Sequence, residues 1–124
     1  MDSPNVLAIK DAWQTFETAG PLATMEKLLD LSHERVEARP YSAKGRVLRG
    51  ADEIRAFFAQ SAEEGTVLTA HAQEFVERDD NVIVRGSIRV ARPDGSFAET
   101  LVRWYFHFDG PLIDSLGWEP RAGD

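Results

Sequence analysis

After Gly65 the chain changes its hydrophobic period, and that switch constrains the fold more than any other feature. Before it, apolar residues recur at three- and four-residue spacing; after it, they alternate. The clearest alternating stretch is LVRWYFHFDG, Leu101 to Gly110. Side chains take opposite sides along a strand. One face therefore carries Val102, Trp104, Phe106 and Phe108, and the other carries Leu101, Arg103, Tyr105 and His107. A sheet with one wet face should show plainly polar residues on it. Here the second face is aromatic and cationic, so it is expected to meet something other than water alone.

The first half reads as helices. In DSPNVLAIKDAWQTFETAG, Ser3 can cap, Pro4 suits the first helical position and Gly20 can end the helix. Val6, Ile9, Trp13 and Phe16 share one face. PLATMEKLLDLS starts a second helix with Leu22, Met25, Leu28 and Leu29 on one side. RVEARPY reads as a short strand ended by Pro40, and SAKGRVLRG as a basic loop. ADEIRAFFAQSAEEG is a third helix, with acids in its first turn favouring the helix dipole and Ile54, Phe57 and Phe58 on its buried side. Four strands follow in antiparallel succession: TVLTAHAQEFVER, NVIVRGSIRVA, FAETLVRWYFHF and LIDSLGWE. Asp79-Asp80, the RPDGS hairpin turn and DGP separate them.

The expected class is α+β: three N-terminal helices packed on a strongly curved, mostly antiparallel sheet, forming a half-open cone. A pocket between the sheet and the first helix is the default ligand site. With 124 residues, the chain suits one domain, 1–124. A formal net charge of −7 argues against sequence-independent nucleic-acid binding and against an anionic membrane surface. There is no cysteine, and no apolar run approaches the length of a membrane span. MDSPNVLAIKDAW lacks a basic region followed by an apolar one, so no secretory signal is read and a cytoplasmic location is expected.

Several segments together resemble the SnoaL-like branch of the nuclear transport factor 2-like superfamily. They are AWQTFETAGPL, MEKLLDL, VEARP, RGADEIRAFF and the terminal VRWYFHFDGPLIDSLGW, spread over roughly residues 5 to 119. The resemblance implies a cone-shaped α+β barrel that is frequently a homodimer through the outer face of its sheet. Function does not follow from the fold, so the family's chemistries are tested residue by residue.

Ketosteroid isomerases place a tyrosine on the first helix and an aspartate base directly before a proline. Trp13 and Arg39 stand at those positions here, and a guanidinium cannot take a proton. Limonene-type epoxide hydrolases need an Asp–Arg–Asp arrangement, and VIVRGSIRVA supplies no acid. SnoaL-type cyclases use an acid near the end of the last strand, for which Glu119 is the nearest counterpart and Asp114 the second choice.

Of His33, His71 and His107, His71 is the plausible pocket polar group, read on one side with Thr69, Gln73 and Phe75. No two histidines have helix-turn spacing, and no metal, nucleotide or other cofactor signature is present. The expected site is therefore a cone lined by Trp13, Phe16, Tyr41, Phe57, Trp104, Phe106 and Trp118, with Glu119 and His71 as candidate catalytic groups. Its expected ligand is a small hydrophobic molecule, processed by cofactor-free proton transfer of the isomerase, cyclase or dehydratase type. The alternative is a non-catalytic dimeric ligand-binding or interaction module. In the preferred register Arg103, Tyr105 and His107 form the outer, dimerising face; a one-residue bulge would turn them into the pocket instead.

Overall fold

The computed structural model describes residues 2–39, 45–65 and 67–120. Its helices are α1 (Pro4–Ala19), α2 (Pro21–Asp30) and α3 (Gly50–Glu63). Its strands are β1 (Ser32–Arg39), β2 (Leu48–Arg49), β3 (Val67–Arg78), β4 (Asn81–Ala91), β5 (Phe97–Asp109) and β6 (Leu112–Pro120).

The helix signals work as read. The Val6 N–H donates to Ser3 Oγ at 3.2 Å, and Ser3 Oγ–H donates to Glu77 Oε2 at 2.8 Å, so the cap also ties α1 to β3. Such a cap contributes about 1 kcal/mol. Gly20, at φ 88°, closes α1 through its N–H to the Phe16 carbonyl and lets α2 start at once. The α2 helix stops two residues short of the expected end. The Ile113 N–H donates to the Leu31 carbonyl at 2.9 Å, and Ser32 pairs with Ile113, which draws residues 32–34 into β1. The segment read as a basic loop contributes β2, because Leu48 pairs with Ala38 and is fully buried.

The sheet runs β2-β1-β6-β5-β4-β3 and does not close on itself. Every neighbouring pair is antiparallel except β1 with β6. The helices lie on one face, with α1 against β3 and β4, and α3 against β1 and β2. The result is the expected α+β cone, open along one side. In the β4–β5 hairpin the Asp94 carboxylate accepts from the Ser96 hydroxyl at 2.6 Å and its N–H at 2.8 Å, which holds its pKa below the ordinary aspartate value.

Two bulges decide which side chains face inward. In β3 the pairing with β4 slips between Ala72 and Glu74. Ala70 therefore faces the helices and is buried, while beyond the bulge Phe75 also turns inward, its ring 5.9 Å from that of Trp13. Gly86 sits opposite this bulge, and a Cβ there would overlap the His71 carbonyl oxygen. In β6 the pairing slips at Asp114, so Ile113 and Leu116 are both buried. Strand β5 itself pairs with β4 without a slip from Phe97 to His107. Val102, Trp104, Phe106 and Phe108 are buried as the preferred register requires, and Arg103, Tyr105 and His107 take the outer face.

Candidate functional site

The inner face of the sheet and the three helices enclose a cavity of about 80 Å³. Helix α1 supplies Trp13 and Phe16, α2 supplies Met25, Leu28 and Leu29, and α3 supplies Ile54 and Phe58. The sheet supplies Leu68, Ala70, Ile88, Trp104, Phe106, Leu116 and Trp118. Trp13 sits among aromatic neighbours: its ring centroid is 4.9 Å from that of Trp104 and 6.0 Å from that of Phe106, both edge-on. Such pairs add to plain area burial. Phe58 reaches Trp118 at 6.0 Å.

Polar groups are scarce in this lining. Thr24 is buried, and its hydroxyl donates to the Gly20 carbonyl at 3.0 Å. The Trp13 indole Nε1 is buried with no hydrogen-bond acceptor among the described residues. No Asp, Glu, His, Lys, Arg or Tyr is among the described lining residues. A general acid or base must come within hydrogen-bond reach of its substrate proton, so the described lining offers none.

Of the residues expected to form the site, Trp13, Phe16, Trp104, Phe106 and Trp118 come together around the cavity. Phe57 does not line it; its ring packs edge-on against Phe58 at 5.4 Å. Phe58 takes the place expected of Phe57: both stand within one helical turn of the buried Ile54, and the packing of α3 brings Phe58 to the cavity. Tyr41 lies outside the described residues.

The two candidate catalytic residues lie elsewhere. His71 follows the inward Ala70, so it points to the outer face and is exposed. The expectation that it shares a side with Phe75 is corrected by the bulge at Ala72/Glu74, which reverses the alternation between them. Glu119 pairs with Arg103 across β5 and β6, its carboxylate accepting from Nη2 at 2.8 Å on the exposed outer face. Asp114 meets His107 on that same face, with Oδ1 2.6 Å from Nδ1, because the β6 bulge turns it there. His33 lies in β1, its Nε2 3.1 Å from Asp109 Oδ2. Among the described residues no group of histidines and carboxylates has the arrangement of a metal site, and no helix is long and apolar enough to cross a membrane.

No model of a known protein family matches the sequence, and no curated protein does. Solved structures do match its fold. A nuclear transport factor 2-like protein of unknown function from Burkholderia pseudomallei aligns over 97% of this chain and 92% of its own, with a TM-score of 0.80 and 16% identity. The chain has the nuclear transport factor 2-like fold. A SnoaL-like protein from Jannaschia sp. shares this fold at 15% identity and a TM-score of 0.73, over 96% of this chain and 89% of its own. A Mycobacterium tuberculosis protein, solved in complex with estradiol-17β-hemisuccinate, aligns over 97% and 95% with 17% identity and a TM-score of 0.74. The fold expected from the SnoaL-like resemblance is thus the fold observed.

Proposed function

We propose that this chain binds a small apolar molecule in its inner cavity and performs no acid–base chemistry there. The observation that carries this reading is the lining: aromatic and aliphatic side chains with no titratable group among the described residues. The M. tuberculosis protein of the same fold, solved in complex with the steroid ester estradiol-17β-hemisuccinate, supports a small-molecule ligand. The volume bounds the ligand. About 80 Å³ is below the usual ligand pocket of about 300–1,000 Å³. A molecule the size of a single aromatic ring is the occupant this space favours, rather than a polycyclic one.

Titration with α-methylstyrene, followed by the indole N–H resonances of the three lining tryptophans, tests the proposal. Saturable shifts are expected, with dissociation constants unchanged in Glu119→Gln and His71→Ala because both groups lie on the outer face. Silence across ring-sized hydrocarbons would sink the pocket reading. Weakened binding in those two variants would return the outer-face residues to the site.

A second reading concerns the outer face of the sheet, and it is compatible with the first. Val67, Phe97 and Leu101 are exposed there at 62%, 59% and 38%, and the Arg89 guanidinium lies 4.1 Å above the Phe97 ring. We propose that this face, together with Arg103, Tyr105 and His107, pairs with a second copy of the chain. Aromatic residues and arginine are enriched at such interfaces. Sedimentation equilibrium should report a dimer that Leu101→Glu shifts to monomer. A wild-type monomer at high concentration would refute this reading.

A further inference from the structure

The Trp13 indole raises a question that the apolar lining does not answer. Its ring forms part of the cavity wall, yet Nε1–H is buried and finds no acceptor among the described residues. Buried donors are normally paired, because leaving one unmet forfeits its hydration without return. The rings around it, Trp104, Phe106 and Phe75, offer only their π faces, which are weak acceptors. The Thr24 hydroxyl hydrogen in the described lining is committed to the Gly20 carbonyl, and the indoles of Trp104 and Trp118 are donors only.

We infer that the ligand carries a neutral oxygen acceptor, a carbonyl or an ether, which the Trp13 N–H engages inside the cavity. The inference rests on the cavity being a ligand site and deepens that reading by naming the ligand's chemistry. Three considerations select this class. The indole nitrogen is a donor only, so its partner must accept. An anion would lie in an apolar cavity with no cation in its described lining, and an unpaired buried charge is prohibitively costly. An alcohol would satisfy Trp13 but bring a hydroxyl hydrogen of its own into a lining poor in side-chain acceptors. A ketone, aldehyde, ester or ether on a ring-sized frame meets the need without adding another unmet group.

The test uses two probes of nearly the same shape, acetophenone and α-methylstyrene, which differ in C=O against C=CH2. Dissociation constants are measured for both with the wild-type protein and with Trp13→Phe, which keeps an aromatic ring and removes the donor. The cost of taking each probe out of water is common to both proteins and cancels between them. The preference for acetophenone over α-methylstyrene is expected to fall about tenfold in Trp13→Phe. In the wild-type protein acetophenone should move the Trp13 Nε1–H proton resonance further downfield than α-methylstyrene does.

If both probes bind but the preference is the same in the two proteins, the acceptor inference is overturned and the pocket reading stands. If neither probe binds, the pocket reading falls and this inference with it. Should Trp13→Phe fail to fold, the wild-type resonance decides: a larger downfield shift with acetophenone supports the inference, and equal shifts overturn it.

Discussion

Gly86→Ala is expected to cost about 3 kcal/mol of stability, the upper end for overpacking a buried position. Gly86 lies in β4 opposite Ala72, beside the β3 bulge, and it is buried. The added methyl would overlap the His71 carbonyl oxygen and approach the Ala72 Cα at 3.1 Å. These are backbone atoms of a hydrogen-bonded strand, so no rotamer change can relieve the contact. Either β3 withdraws from β4 locally, or the bulge is lost. Losing the bulge would turn Phe75 away from Trp13 or His71 into the core, because side-chain alternation would then run unbroken. Glycines and bulges are the devices by which sheets bend, and here the bend lies where α1 meets β3. Urea denaturation reads the effect directly. A Gly86→Ala protein with an unchanged midpoint would mean that β3 does not cross so close to β4.

Ala70→Leu is expected to weaken ring-sized ligands about a hundredfold, equivalent to ~2.7 kcal/mol. Ala70 faces inward between Leu68 and the bulge and lines the cavity. An isobutyl group there occupies much of a space of about 80 Å³. Filling a void restores dispersion contacts, whereas any forced rotamer opposes this. Stability should therefore change far less than binding does. The control is one residue away: His71→Leu places the same side chain on the outer face of the same strand and should leave affinity intact. Equal losses in both variants would show that binding responds to β3 as a whole rather than to the cavity.

Much of this molecule is legible in its sequence. Ser3, Pro4 and Gly20 bracket α1 as their capping chemistry requires, and Pro93-Asp94-Gly95 turns the β4–β5 hairpin. The alternating aromatics of β5 marked the inner face, and five of the seven expected lining residues surround the cavity. The misplacements have physical causes. Phe57 and Phe58 differ by about 100° around α3, and only the packing of Ile54 shows which one points inward. Gly86 stood alone in a β-branched strand, which is a known sign of a bulge or close backbone approach. A bulge of this kind means that His71 and Phe75 need not share a face.

Local chemistry along the chain was enough to establish the order of helices and strands, the turns between them and the α+β class. Caps, periods and turn residues act over a few positions and are therefore written in order. Tertiary structure alone decided where Glu119, Asp114 and His71 point, because a one-residue slip in β3 or β6 reverses every side chain beyond it. Tertiary structure also decided the size of the cavity, which is the small remainder left when large side chains from helices and sheet fill the cone. The unpartnered Trp13 N–H belongs to the same level, since only the folded chain shows that nothing in the described structure reaches it.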